Sequence, residues 1–447
     1  MKREITVGID IGTSSVKAIA ADADGAVVAF SRVPHKIQIP APDRFQHDAA
    51  SAWRDGPVAA LAALELDDAP AAVSVAAMVP SLTAVDADGV PRTPGLLYGD
   101  GRGRSDLSGA NPMQSGELLE FLRWTQAQLP DAAGYWPATA VANHALSGEA
   151  VLDTSTASTA FPLFDWTSWD PAVAGPLGVD VAQLPRLVPT ARECGHVGGA
   201  DGPVLASGCI DALADQIVAG ADNDGDVLAL LGTTLIVNSV TTRHDEVPGY
   251  WVIPHTAADK FLVGGPSNAG GLFVNWATAS LRDVAPDERA RPDRVPVWAP
   301  YPRGERVPLH DADRRAVLAD LDLTHDAAAL RRAAFEASGF VARRIIDAGR
   351  AGHGVKPSRI IATGGGTRVD EWVQAIADCT GLPVECTAVP EGAALGSAFL
   401  ARCAIGLEAE GMRGAARWAR PGRTVEPDPT WVEATEARYE RFLVLSS

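Results

Sequence analysis

The stretch from Ile5 to Gly25, ITVGIDIGTSSVKAIAADADG, consists of two apolar runs, Ile5 to Ile9 and Val16 to Ala21. Asp10-Ile11-Gly12-Thr13-Ser14-Ser15 joins them, and Asp22-Ala23-Asp24-Gly25 closes the second. Apolar runs linked by glycine and small hydroxyl residues predict a β-hairpin. A similar unit follows far downstream: Val227 to Leu231, then Gly232-Thr233-Thr234, then Leu235 to Val240, with Gly12 and Gly232 standing 220 residues apart in a chain of 447. Recurrence at half-length predicts a duplicated domain. The polar break Asp222-Asn223-Asp224-Gly225-Asp226 sets the boundary, giving residues 1–222 and 223–447.

Around these units, helical periodicity alternates with short apolar runs, which predicts a layered α/β fold. Leu330 to Ala348 reads as a long helix and Ser358 to Ala362 as a strand. Gly364-Gly365-Gly366 then makes a sharp turn before a helix from Asp370 to Thr380, ended by Gly381. The Pro- and Arg-rich stretch Ala285 to His310 reads as a surface loop.

Composition narrows the function. A chain of 447 residues predicts two domains, and 47% apolar with 21% charged residues is the balance of a folded globular protein. A net charge of −18 repels phosphate backbones and anionic lipid, which argues against nucleic acid and membrane partners. Five cysteines without a CxxC pair indicate neither a zinc ribbon nor a disulfide scaffold, and a reducing cytoplasm suits them. The N-terminus carries no signal-peptide core, and no apolar run reaches the ~20 residues a membrane span requires. Gly-Lys never occurs, so nucleotide phosphates, if bound, are bound without a P-loop lysine.

Three places carry candidate chemistry. Asp10, Gly12, Thr13, Ser14 and Lys17 form either an ordinary hairpin turn or a phosphate loop whose amides face an anion while Asp10 holds Mg²⁺. The matching Gly232-Thr233-Thr234 turn favours the phosphate loop, since two such hairpins can clamp a polyphosphate. Asp211, after Gly208-Cys209-Ile210, opens the helix Ala212 to Ala219 as either an N-cap or a general base, with Asp215 one turn on as its rival. Gly364, Gly365 and Gly366 let the backbone approach a flat ring, and Trp372 is either a wall of a purine pocket or a core residue.

From Val7 to about Gly406 the chain resembles the FGGY family of carbohydrate kinases, within the actin-like superfold. The resemblance is carried by GIDIGTSSVKAIAAD (Gly8 to Asp22), LSGEAVLDTSTAS (Leu146 to Ser158), PVLASGCIDALADQIVAGA (Pro203 to Ala221), LALLGTTLIV (Leu228 to Val237), GGPSNAGG (Gly264 to Gly271), PYPRGERVPLHD (Pro300 to Asp311) and the run from IIATGGGTRVDEW onward. It implies two duplicated actin-like, ribonuclease H-like domains closing over a nucleotide and sugar cleft. It implies ATP and Mg²⁺, with Asp10 beside the metal and Thr13, Ser14 and Lys17 around the phosphates. Asp211 becomes the base that deprotonates a sugar hydroxyl. Gly232, Thr233 and Thr234 become the second phosphate loop, and Gly365, Gly366 and Trp372 the adenosine pocket.

Two departures fall on the sugar side. Met78-Val79-Pro80-Ser81 stands where pentulose kinases of the family often carry Gln-Met-His-Gly beside the sugar, so Val79 and Pro80 remove an imidazole from that site and Val79 is expected among the substrate-binding residues. Met113-Gln114-Ser115-Gly116-Glu117-Leu118 lacks the lysine of the family's central signature. Asp100, in Tyr98-Gly99-Asp100-Gly101-Arg102, matches a sugar-contacting stretch and is expected to bind substrate hydroxyls. The resemblance points to a compact ribulose- or xylulose-type kinase, a monomer or homodimer. Its alternatives are a kinase for another ketose or polyol, an actin-like ATPase or phosphatase, and a nucleotide sensor without sugar kinase activity.

Overall fold

The structure, a computed structural model, describes residues 4–104, 115–285 and 287–447. Met113 and Gln114 of the central signature lie outside the described residues. The chain forms two compact units, one of residues up to Val218 together with Glu391–Trp418, the other of Ala219–Pro390 with Ala419–Ser447.

The main sheet of the first unit is built of β1 (Thr6–Ile11), β2 (Ser15–Ala21), β3 (Val27–Pro34), β4 (Ala72–Ala77), β5 (Glu193–His196), β6 (Val204–Ala206) and β7 (Cys209–Ile210). Their order in the sheet is β5-β6-β4-β1-β2-β3, with β7 also paired to β4. The hairpin expected from the sequence is β1–β2, in register with Asp10 opposite Lys17. β4 runs parallel to β1, setting Ala76 beside Asp10, and β7 runs parallel to β4 with Cys209 beside Ala76. Both faces of β1 and β4 are buried, as central strands covered by helices must be.

One of those covering helices comes from far along the chain. Gly392–Ala404 lies on β1, and Thr6 Oγ1 donates to the Ala398 carbonyl at 2.9 Å. Gly8 permits this approach, since a Cβ there would stand 1.9 Å from the Ala394 carbonyl oxygen. The compact units do not follow a single cut at 222/223: the first ends at Val218, four residues earlier, and takes in Glu391–Trp418.

The second unit contains β8 (Asp226–Leu231), β9 (Leu235–Thr241), β10 (Trp251–Pro254), β11 (Phe261–Ser267), β12 (Arg359–Thr363), β13 (Val384–Thr387) and β14 (Pro421–Val425), in the order β10-β11-β9-β8-β12-β13-β14. It repeats the plan of the first: a hairpin extended antiparallel on one side, and on the other by parallel strands ending in an antiparallel edge strand. The two hairpins differ by one residue, because Ile11 pairs with Val16 whereas Leu231 pairs with Leu235. Helices Ala327–His353, Asp370–Thr380 and Pro429–Leu445 pack Phe335, Phe340, Trp372, Tyr439 and Phe442 into the core. Asp326 caps the first of them by accepting from the Ala329 amide at 2.8 Å.

The stretch Ala285 to His310 is not the surface loop expected from its Pro and Arg content. It holds the buried strand Val297–Ala299 and the buried Tyr301, Glu305 and Val307, because its apolar residues complete the second core while its arginines reach outward or to partners. Among the described residues, no helix is long and apolar enough to cross a membrane.

Candidate active site

The parallel pairing gathers the first unit's candidates at one sheet edge. The hairpin tip Gly12–Ser14 follows β1, Met78–Ser81 follows β4, and Asp211 follows β7, all at the carboxyl ends of parallel strands where open α/β sheets place their ligands. With β4 between them, Asp10 and Asp211 stand two strand spacings apart, roughly 10 Å at ~4.8 Å per strand. Asp10 is 6% exposed and its Oδ2 lies 3.2 Å from Lys17 Nζ. The carboxylate of Asp10 is the main cause holding the Lys17 pKa above its ordinary value, against desolvation, with Asp215 and Glu391 adding to it. Lys17 therefore remains an ammonium at the mouth of the hairpin.

The tip itself is braced from below. The Gly12 amide donates to the Ser15 carbonyl at 3.1 Å, and Thr13 Oγ1 lies 2.9 Å from the Tyr98 hydroxyl. His47 Nε2 stands 2.8 Å from the Thr13 carbonyl, while Trp53 Nε1–H donates to His47 Nδ1 at 3.0 Å. The second bond makes Nδ1 an acceptor, so the ring proton sits on Nε2 and is donated to Thr13. Burial, with the His35 ring 4.4 Å away, lowers the His47 pKa to about 4 and keeps this tautomer neutral.

Asp211 is the first residue of helix Asp211–Ala219, and its Oδ1 accepts the Ala212 amide at 2.7 Å. Gly208, at φ +98°, turns the chain into that strand end where a Cβ would meet the Val75 carbonyl at 2.5 Å. The preceding Ile210 amide donates to Ser155 Oγ at 3.4 Å, and Ser155 Oγ donates in turn to Asp153. Asp153 is buried and also takes the Thr156 amide at 2.9 Å and Thr190 Oγ1 at 3.2 Å. Desolvation raises its pKa, with those bonds opposing. Sequence reasoning missed this support, although Asp153 to Ser155 lies inside the LSGEAVLDTSTAS stretch.

Mg²⁺ takes one or two carboxylates, keeps several waters and completes its shell with phosphate oxygens. Among the described residues no group of three or more His, Cys, Asp or Glu is placed to hold a metal. A single buried carboxylate, Asp10, at the foot of the hairpin fits an ion that brings its own water and phosphate ligands.

Val79 is half-buried at the end of β4, beside Ser81, whose Oγ accepts the Ala138 amide at 3.1 Å. Asp100 is 2% exposed and its oxygens accept from the Phe45 amide at 2.5 Å, from the Arg102 amide and Nε at 2.8 Å each, and from an Arg102 terminal nitrogen at 2.8 Å. A carboxylate offers about four lone-pair sites. Asp100 spends them on the Arg102 turn and on the Phe45 amide.

In the second unit, Gly232–Thr234 follows β8 and Gly364–Gly366 follows the parallel neighbour β12, again at one edge. The hairpin is capped by helix Gly271–Ala279, whose Gly271 and Leu272 amides donate to the Gly232 and Thr233 carbonyls at 2.8 and 3.1 Å. Gly365 is exposed and Gly366 half-buried, a turn that presents backbone outward. Trp372 is 2% exposed, its indole N–H donating to Ser338 Oγ at 2.9 Å within the core. It packs beneath Gly366, where a Cβ would stand 2.4 Å from its ring. Trp372 therefore supports the turn from below, the core placement that the sequence left open beside a purine wall.

Comparison with known proteins adds to this geometry. The N-terminal domain model of the FGGY family of carbohydrate kinases matches residues 5–200, and the C-terminal domain model matches residues 227–405. The chain is 26% identical over 445 residues to the xylulose kinase of Escherichia coli (strain K12), spanning 90% of each. It is 24% identical over 453 residues to the gluconokinase of Bacillus subtilis (strain 168), spanning 91% of this chain and 87% of that one. The solved xylulose kinase of Rhodospirillum rubrum aligns with a TM-score of 0.76 at 26% identity, covering 99% of this chain and 98% of that one. The two-domain actin-like fold expected from the sequence is the fold these matches share.

Proposed function

The chain belongs to the FGGY family of carbohydrate kinases and is a phosphotransferase with a hydroxyl acceptor, and from that premise we propose that it phosphorylates a ketopentose of the ribulose or xylulose type, using MgATP and Asp211 as general base. The observation that carries this reading is the placement of Asp10 and Asp211 on either side of β4 at one strand edge. Phosphoryl transfer passes through a loose transition state, so catalysis is mostly positioning and charge stabilisation. Asp211 accepts the proton as the sugar oxygen bonds to the γ-phosphorus and the bond to the ADP oxygen breaks. Its helix start, fixed through Ile210, Ser155 and Asp153, keeps the carboxylate in reach of that hydroxyl.

Thr13 and Ser14 offer hairpin amides and hydroxyls to the phosphates, and Lys17 supplies a fixed positive charge. Magnesium, when bound with the nucleotide, neutralises charge on the β- and γ-phosphates, and Asp10 would hold it. Gly232, Thr233 and Thr234 form the second phosphate loop, while Gly365 and Gly366 present backbone to the adenosine. The relatives named as xylulose kinases support the pentulose acceptor. A cytoplasmic pool of ATP and sugar suits the reaction.

The test is ADP release by the purified chain with ATP and magnesium against ribulose, xylulose, gluconate and glycerol. Turnover that requires an added ketopentose supports the reading. Strict preference for gluconate or glycerol overturns the acceptor, and turnover without any acceptor overturns the kinase assignment in favour of an ATPase.

A further inference from the structure

The stretch PYPRGERVPLHD has no role in the reaction described above, yet it reaches the second hairpin. Arg306 donates from a terminal nitrogen to Thr234 Oγ1 at 3.0 Å. The backbone at its root is clamped: the buried Glu305 takes the Arg306 amide at 2.6 Å, the Asn268 amide at 2.8 Å and Ser267 Oγ at 2.6 Å. Asn268 Nδ2 returns a bond to the Gly304 carbonyl at 2.9 Å, and the Val307 amide donates to the Pro266 carbonyl at 3.2 Å. Glu305 and Arg306 thus fasten two flanks of one loop assembly, the turn after β11 and the tip of β8–β9.

The two hairpins differ in charge. The first carries Asp10 opposite Lys17, whereas the second, from Leu228 to Val240, has no charged side chain of its own. Arg306 brings a permanent cation to it from 72 residues away. A guanidinium only donates, so Thr234 Oγ1 must accept from it, and the single hydroxyl proton of Thr234 is left to point elsewhere. A hydroxyl polarised in this way by a cation is a stronger donor to an anion.

We propose that Arg306 is a positioning residue for the second phosphate loop, orienting the Thr234 hydroxyl as a donor to the phosphate chain of the nucleotide. The proposal rests on the reading of Gly232–Thr234 as a phosphate loop. The experiment measures the affinities of adenosine, ADP and a nonhydrolysable ATP analogue, with magnesium, for the full chain and for R306Q, R306K, T234V and the R306Q/T234V double variant. Loss of one charge-assisted bond is worth about tenfold in affinity. R306Q and T234V should each weaken ADP and the analogue by about that factor while adenosine changes less than about twofold, and the double variant should be no weaker than the worse single one. R306K should recover part of the loss, because an ammonium can still donate to Thr234. Equal weakening of adenosine, additive losses in the double variant, or unchanged phosphate binding in R306Q would each overturn the proposal. If the unsubstituted chain binds ADP no better than adenosine, the phosphate-loop reading itself fails; if T234V loses that preference and R306Q keeps it, only the role of Arg306 fails.

Discussion

Asp100 shows how a side chain's partners decide its role. Its carboxylate pairs with Arg102, whose side chain is only 6% exposed, and whose guanidinium also reaches Gln46 at 2.9 Å and lies 4.7 Å from the Trp124 ring centre. Removing one member of a buried ion pair leaves a buried charge uncompensated, at ~3–5 kcal/mol. Asp100→Ala should therefore lower the unfolding free energy by about that amount, read by denaturant melts, while the KM for sugar in the folded fraction changes little. A stable variant with a raised sugar KM would return Asp100 to the substrate. Trp372→Ala should likewise act through the core, at roughly 3–5 kcal/mol for a buried aromatic truncation. A normal melting temperature with a raised KM for ATP would contradict that placement.

At the scale of elements, the strand Arg44–His47 carries the brace under the first hairpin through its last residue. His47 has its pKa lowered to about 4 by burial, with His35 nearby adding to the shift, from an ordinary 6.5. The unfolded chain takes up a proton below 6.5 that the folded His47 refuses, so the stability it contributes is present above 6.5 and falls away as pH drops toward 4. The decline should be on the order of 3 kcal/mol, and His47→Gln should flatten it in urea melts between pH 7 and pH 4.5. An unchanged slope would show that His47 is not the group responsible. The hairpins were legible in the sequence because glycine and small hydroxyls between apolar runs leave few other local structures open. Asp211 was legible as a helix start, but its support was not, since Ser155 and Asp153 reach it from more than fifty residues away. The bonds of Asp100 to Phe45 and the burial of Trp372 against Ser338 were invisible for the same reason: both are tertiary contacts that no local pattern encodes. The Pro- and Arg-rich composition of Ala285 to His310 masked a buried strand whose few apolar residues belong to the core.

At the scale of the whole molecule, the first unit is completed by a segment from near the end of the chain, Glu391–Trp418. Helix Gly392–Ala404 covers β1, and Trp418 is buried against Gly25 and Phe399. A fragment of residues 1–222 should therefore expose the apolar face of β1 and fail to fold, whereas the same fragment carrying 391–418 on a flexible linker should show a cooperative melt by circular dichroism. Cooperative folding of 1–222 alone would contradict the assignment. The plan recurs in both units, each hairpin having a parallel strand beside its first strand, and the proposed reaction assigns the acceptor's proton to Asp211. The most direct measurement follows the transfer of the γ-phosphoryl group from labelled ATP to a ketopentose by the full chain and by Asp211→Asn, whose amide oxygen can keep the bond from the Ala212 amide. The predicted result is sugar phosphate formed by the unsubstituted chain and at least ~10²-fold less by an Asp211→Asn protein that melts normally and still binds ATP; near-normal transfer by that variant would remove Asp211 from the mechanism.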